Sequence, residues 1–180
     1  MVSDPEAPPP QGPVPRSGAW IVVAGGLGLG GLLAATETLF GVGYPPPYSP
    51  PEAPLMAAAW GLPAGMLLTE AIFDLRRYGP GRKGLFILLA AALAATGCFL
   101  SWPVSVPPSV HGAVVGLALL HELIDYRPTS SLRLLLVLLS LLLAAWHELI
   151  RFPAPASLLV GLGVGIAAWC VSRIIAGAAL

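Results

Sequence analysis

The chain has 180 residues, 56% hydrophobic and 10% charged, with a mean hydropathy of +0.81, which is more apolar surface than one soluble domain of that size buries. Nine basic residues offset nine acidic ones, so nothing in the charge favours nucleic acid or another polyanion as partner, and the few charges must be read by position. The two cysteines, Cys98 and Cys170, lie in different apolar segments and read as small packing residues.

Residues 1–18, "MVSDPEAPPPQGPVPRSG", are proline-rich without apolar periodicity and predict a disordered cytoplasmic tail. The apolar stretch after it lacks the basic run that opens a secretory signal, with Arg16 alone among prolines. A crossing of roughly 30 Å of hydrocarbon takes about 20 mainly apolar residues. Six stretches approach that length, at about 19–42, 55–74, 84–102, 109–125, 132–151 and 156–177, the fourth being the weakest. The fold class expected is therefore an all-α integral membrane protein, a six-transmembrane-helix bundle forming one domain over 19–180.

The connectors alternate in chemistry. "GYPPPYSPPEAP", "SWPVSVPPS" and "RFPAPAS" are proline-rich, whereas "RRYGPGRK" and "YRPTSSLR" are basic, and eight of the nine Lys and Arg residues fall on the side that holds both termini. The positive-inside rule then places both termini in the cytoplasm of a bacterial inner membrane. Tyr44, Tyr48, Trp60, Trp102, Trp146 and Phe152 would form the outer aromatic belt, and Trp20, Phe73, Tyr78, Phe86 and Tyr126 the inner one. Odd helices share endings such as "LLAATETLFGVGYPPP" and "LLAAWHELIRFP", and two even helices share "LLTEAIFDLRRYGP" and "LLHELIDYRP", which suggests three tandem helical hairpins. Gly26, Gly30 and Ala34 on the first helix, and Gly161 and Gly165 on the sixth, recur every fourth residue and predict close backbone packing, within the bundle or against another subunit.

Two of the three histidines open copies of "HELI", at His121 and His147. Neither copy has the second histidine at i+4 that a zincin helix needs, and the two lie at heights differing by roughly 12 Å on antiparallel helices. A better match in height is His111 with His147, about 18 and 17 residues from the turn between the fourth and fifth helices, joined by Glu37 near the end of the first. Two imidazoles and a carboxylate suit a divalent metal such as zinc, iron, nickel or copper. The competing reading is ordinary hydrogen bonding at the outer interface, with no cofactor at all. His147 and Glu148 are expected to diverge by about 100° around the helix. Haem between His111 and His147 would have to splay helices that pack about 8–10 Å apart.

At the cytoplasmic end, Glu70 and Asp74 share one helical face, as do Glu122 and Asp125, amid Arg76, Arg77, Arg82, Lys83, Arg127 and Arg133. This ionic cluster reads either as a docking patch or proton-carrying ion gate, or as snorkelling interfacial ion pairs. Phosphate-cradle, nucleophile-elbow, CxxC and HExxH motifs do not occur, so the expected role is non-enzymatic: small-solute capture or transport, or a subunit of a membrane complex, with the lipid bilayer and other membrane subunits as partners. The alternative is a membrane metal or haem redox protein. In size and topology, residues 19–177 resemble the membrane substrate-capture subunits of energy-coupling-factor vitamin transporters and, more loosely, the MreD family of cell-shape proteins; no motif carries the likeness and no residue is transferred by it.

Overall fold

The structure is a computed structural model, and it describes residues 16–40, 52–78, 82–100, 106, 108–124, 131–151 and 155–178. Six helices follow in chain order: α1 (Arg16–Phe40), α2 (Glu52–Tyr78), α3 (Arg82–Leu100), α4 (Val110–Ile124), α5 (Ser131–Trp146) and α6 (Pro155–Ala178). A π-helical turn, His147–Arg151, extends α5. No strand occurs among the described residues. The predicted tail over 1–18 lies outside them up to residue 15; α1 already begins at Arg16.

Three helices contain stretches long and apolar enough to cross a membrane: Pro54–Arg76, Ser131–Leu149 and Pro155–Ile175. Shorter apolar stretches cover Trp20–Thr36, Gly84–Leu100 and Val110–Ile124. The distribution of side chains inverts that of a water-soluble bundle. Trp20, Leu39, Phe99, Leu142, Leu159 and Ile174 stand exposed on the outside, whereas His111, His121, Glu122, Ser140, His147 and Ser172 are buried. A hydrocarbon surround makes that arrangement favourable, because lipid accepts the leucines and polar groups must find partners inside. Hydroxyls obey the same constraint: Ser140 donates to the Leu136 carbonyl (3.0 Å) and Ser172 to that of Ala168 (2.7 Å), each on its own helix.

Glycines decide which helices touch. Gly26 and Gly30 of α1 lie on α2, where Gly61 and Gly65 answer them; a Cβ at Gly65 would stand 3.0 Å from the Gly26 Cα, and one at Gly61 would stand 3.1 Å from the Gly30 Cα. The same device joins α4 to α6. A Cβ at Gly112 would meet the Leu158 carbonyl oxygen at 2.8 Å, while one at Gly161 or Gly165 would run into the carbonyl of Ser109 or Ala113. These are small-residue interfaces of the kind that association in lipid requires, since apolar burial supplies no drive there.

Contacts along the glycine ridges set α1 antiparallel to α2 and α4 parallel to α6, and the Glu122–Arg133 and His111–His147 pairs set α4 antiparallel to α5. Thus α1 residues 25 to 30 meet α2 residues 69 to 58 in reverse order. Of the neighbour pairings in three tandem hairpins, α1 with α2 is extensive, α3 with α4 is present but modest, and α5 with α6 is slight. Helix α6 packs chiefly on α4 and α3 and barely touches α5, while α5 leans on α2 and α4. The glycine ridge shared by α4 and α6 accounts for the difference, because it lets those two backbones approach more closely than sequence neighbours bearing leucines can. Helix α4 is consequently the interior helix, flanked by α2, α3, α5 and α6.

Substitution at Gly165 tests this packing. Gly165→Val is expected to cost about 1–3 kcal/mol through overpacking against α4, whereas Gly163→Val, at a position open on all sides, should cost little. Thermal unfolding in detergent distinguishes them; equal midpoints would refute the shared ridge.

Candidate functional site

The interior helix carries polar groups at both ends, and each end gathers side chains from other helices. At its C-terminal end, His121 and Glu122 are both about 3% exposed, although they occupy the last turn of α4. Burial there follows from the crowding of α4 by four neighbours. Glu70 reaches the same place from α2 and Arg133 from the first turn of α5.

One nitrogen of Arg133, Nη2, donates to both Glu70 Oε2 and Glu122 Oε1. The Glu70 oxygen also lies 3.4 Å from Nε2 of His121. Ligand-type atoms of Glu70, His121 and Glu122 all fall within 4.8 Å of one another, spacing that a cation could bridge, and the Arg133 guanidinium is the cation seated there. Phe86 of α3 flanks His121 with ring centroids 6.5 Å apart and meets Trp169 of α6 edge-on at 5.6 Å. Over these two aromatic rings sits Arg173, its guanidinium carbon 5.2 and 5.1 Å from their centroids. That is cation–π seating on the two rings.

At the other end of α4, Ser109 caps the helix. Its hydroxyl accepts from the Gly112 N–H (3.3 Å) and donates to Oε1 of Glu148 (2.8 Å), and its own N–H donates to the Ser157 carbonyl (3.0 Å). Two residues on, the His111 ring faces His147 with centroids 6.1 Å apart. The backbone at Met56 of α2 takes a hydrogen bond from His111. His147 is about 2% exposed. His147 lies against His111, whereas Glu148 is held by Ser109, so the two neighbours meet different residues near the start of α4.

The predicted residues are thus distributed over two places. His111 and His147 meet; the side chain of Glu37, their expected partner, lies outside the described residues. Of the ionic cluster, Glu70 and Glu122 meet through Arg133, and Asp74 lies half-buried one turn along α2. Asp125, Arg127 and the Arg77 side chain lie outside the described residues. Gly26, Gly30, Gly161 and Gly165 all lie on interhelical contacts. Sequence reasoning missed three participants. His121 stands beside Glu122 in the chain, but no spacing pairs it with Glu70 on another helix; Ser109 and Glu148 meet across 39 residues, in a contact between the start of α4 and the π turn that no spacing announces.

Comparison with protein families, curated proteins and solved structures finds no match for this chain. Its chemistry must be judged from the two clusters themselves. Arg133→Gln should leave two buried carboxylates facing each other without their cation and cost about 3–5 kcal/mol. Adding Glu70→Gln and Glu122→Gln to it should recover most of that loss. Denaturant unfolding of the single and triple variants in detergent measures both, and a triple variant no more stable than the single would remove the ionic network as the cause.

Proposed function

We propose that the chain is a six-crossing helix bundle of the bacterial cytoplasmic membrane, with both termini on the cytoplasmic side. It would act as a non-enzymatic component of small-solute transport, and Glu70, Glu122, His121 and Arg133 would form its proton-coupling site. The observation that carries this reading is the single guanidinium shared by two carboxylates from different helices. With both carboxylates ionised and His121 neutral, the group holds one negative charge in excess. One proton on His121 or on either carboxylate neutralises it.

An uncompensated charge is costly away from water, which favours one-proton loading. The ties formed by Arg133 join α2, α4 and α5, so adding or removing that proton changes the bonds among three helices. Such linkage between proton occupancy and helix arrangement is what a coupled transport component needs. The six crossings gain support from the antiparallel α1/α2 and α4/α5 pairs, the parallel α4/α6 pair and the exposed apolar surface. Helix α4 spans only about 22 Å at 1.5 Å per residue, but its place inside the bundle relieves it of lipid matching. Among the described residues, seven basic positions (Arg16, Arg76, Arg77, Arg82, Lys83, Arg133 and Arg173) fall on the helix termini assigned to one end, which supports the cytoplasmic assignment of that end.

Two measurements test the proposal. In a chain without native cysteines, an impermeant maleimide should label Ser49→Cys from outside intact cells and Gly81→Cys only after the membrane is opened; labelling of both from one side would sink the topology. Infrared difference spectra across a pH jump, taken on protein in lipid vesicles, should report one protonation that is lost or displaced in Glu70→Gln, Glu122→Gln and His121→Gln. An unchanged signal in all three would remove the coupling role.

A further inference from the structure

We infer that Glu70, His121 and Glu122 bind a divalent transition-metal ion, in the place that Nη2 of Arg133 holds in this structure. Only the naming of that ion as the solute rests on the transport reading; its binding does not. Among the described residues this is the one group of three histidine, cysteine or acidic donors whose ligand atoms all lie within 4.8 Å of one another. They come from two helices, α2 and α4, and His121 and Glu122 are about 3% exposed.

Their spacing is that of a coordination shell. Zinc takes imidazole nitrogen at about 2.0–2.1 Å and carboxylate oxygen at about 2.0–2.2 Å, so two such donors on a tetrahedral ion stand about 3.3–3.5 Å apart. Glu70 Oε2 and His121 Nε2 stand 3.4 Å apart. Arg133 is seated otherwise than in a site shaped for its own group. A guanidinium on carboxylates commonly engages two nitrogens side by side, whereas here Nη2 alone serves Glu70 and Glu122, and Nε is buried with no hydrogen-bond partner among the described residues. One atom against two oxygens from different helices stands where a point cation would.

Exchange of Arg133 for an ion also balances the charge. Two ionised carboxylates and a neutral imidazole carry two negative charges, which one divalent ion cancels and one guanidinium does not. Arg133 lies in the first turn of α5, from which a long side chain reaches water and headgroups once its place is taken. The imidazole sets the class of ion: Mg2+ and Ca2+ take shells of oxygen, whereas nitrogen beside two carboxylates suits zinc, iron, nickel or copper. Phe86 packs beside His121, and Trp169 against Phe86, an apolar wall of the kind that limits solvent at a metal centre.

The test uses the full chain, purified in detergent, stripped with a chelator and titrated with Co2+, whose ligand-field bands report coordination. One equivalent should bind. Glu70→Gln, Glu122→Gln and His121→Gln should each weaken binding about 100-fold or more, since loss of a mere outer partner of a ligand costs about 10–100-fold. Arg133→Gln should tighten binding about tenfold or more, because a site blocked in about nine molecules of ten shows about a tenth of its intrinsic affinity. Cu2+ on the wild-type chain should show hyperfine coupling to one imidazole nitrogen by electron paramagnetic resonance, a readout that survives if a variant fails to fold. Absence of Co2+ binding, coupling to no nitrogen or to two, or weaker binding in Arg133→Gln would each overturn the site. Co2+ that binds in detergent yet never enters vesicles holding the chain would instead sink the transport reading and leave the site standing.

Discussion

One guanidinium shared between two carboxylates constrains how α2, α4 and α5 meet. In water each of these side chains would be satisfied alone, and a surface pair of this kind would contribute little. Inside an apolar bundle the balance reverses, since a lone carboxylate from Glu70 or Glu122 must find a positive partner on another helix or lose its charge. Arg133 supplies that partner from the first turn of α5, while Glu122 presents itself from the last turn of α4. These two helix ends therefore cannot slide past each other without breaking the bridge. Glu70 adds α2 to the same point, and three helices become mutually fixed by a single cation.

Glycine supplies what charge cannot. The ridges on α1 and α2, and on α4 and α6, bring backbones close enough for dispersion to hold them where lipid gives no hydrophobic drive. Because Gly112 and Gly116 lie on α4 opposite Gly161 and Gly165, α6 lies flush along the interior helix, and α5 is left to pack on α2 instead. Charge placement and glycine placement agree: the helix pinned by α6 along its length is the one whose two ends are polar. Pro63 is buried within α2 between Gly61 and Gly65, where it removes the backbone donor toward Ala59.

Much of this was legible in the letters, for identifiable reasons. Apolar run length gives helix positions to within a few residues, as for the second stretch, expected at about 55–74 and found within Glu52–Tyr78. Height along a helix follows from residue number, so the approach of His111 to His147 could be anticipated from their near-equal distances to one turn. Rotation about the helix axis is harder to read. It depends on which helices pack together, and the pairing of α4 with α6 is set by a ridge whose α4 half, Gly112 and Gly116, looks like ordinary membrane composition until it is seen against Gly161. Local departures from α geometry are harder still. No residue in "HELIR" announces the π turn at the end of α5, and its twin "HELID" begins within ordinary α-helix.

The two polar ends of α4 are chemically separate. His111 and His121 are ten residues apart, roughly 15 Å along the axis, and Gly112, Ala113, Val115, Gly116, Leu117 and Ala118 between them are buried. Ser140 and Ser172, buried hydroxyls outside the two clusters, donate to their own helix carbonyls. The interval of α4 between the clusters is thus glycine and apolar side chain, so each polar end answers to its own neighbours: the C-terminal end to α2 and α5 through Arg133, and the N-terminal end to the π turn and α6 through Ser109.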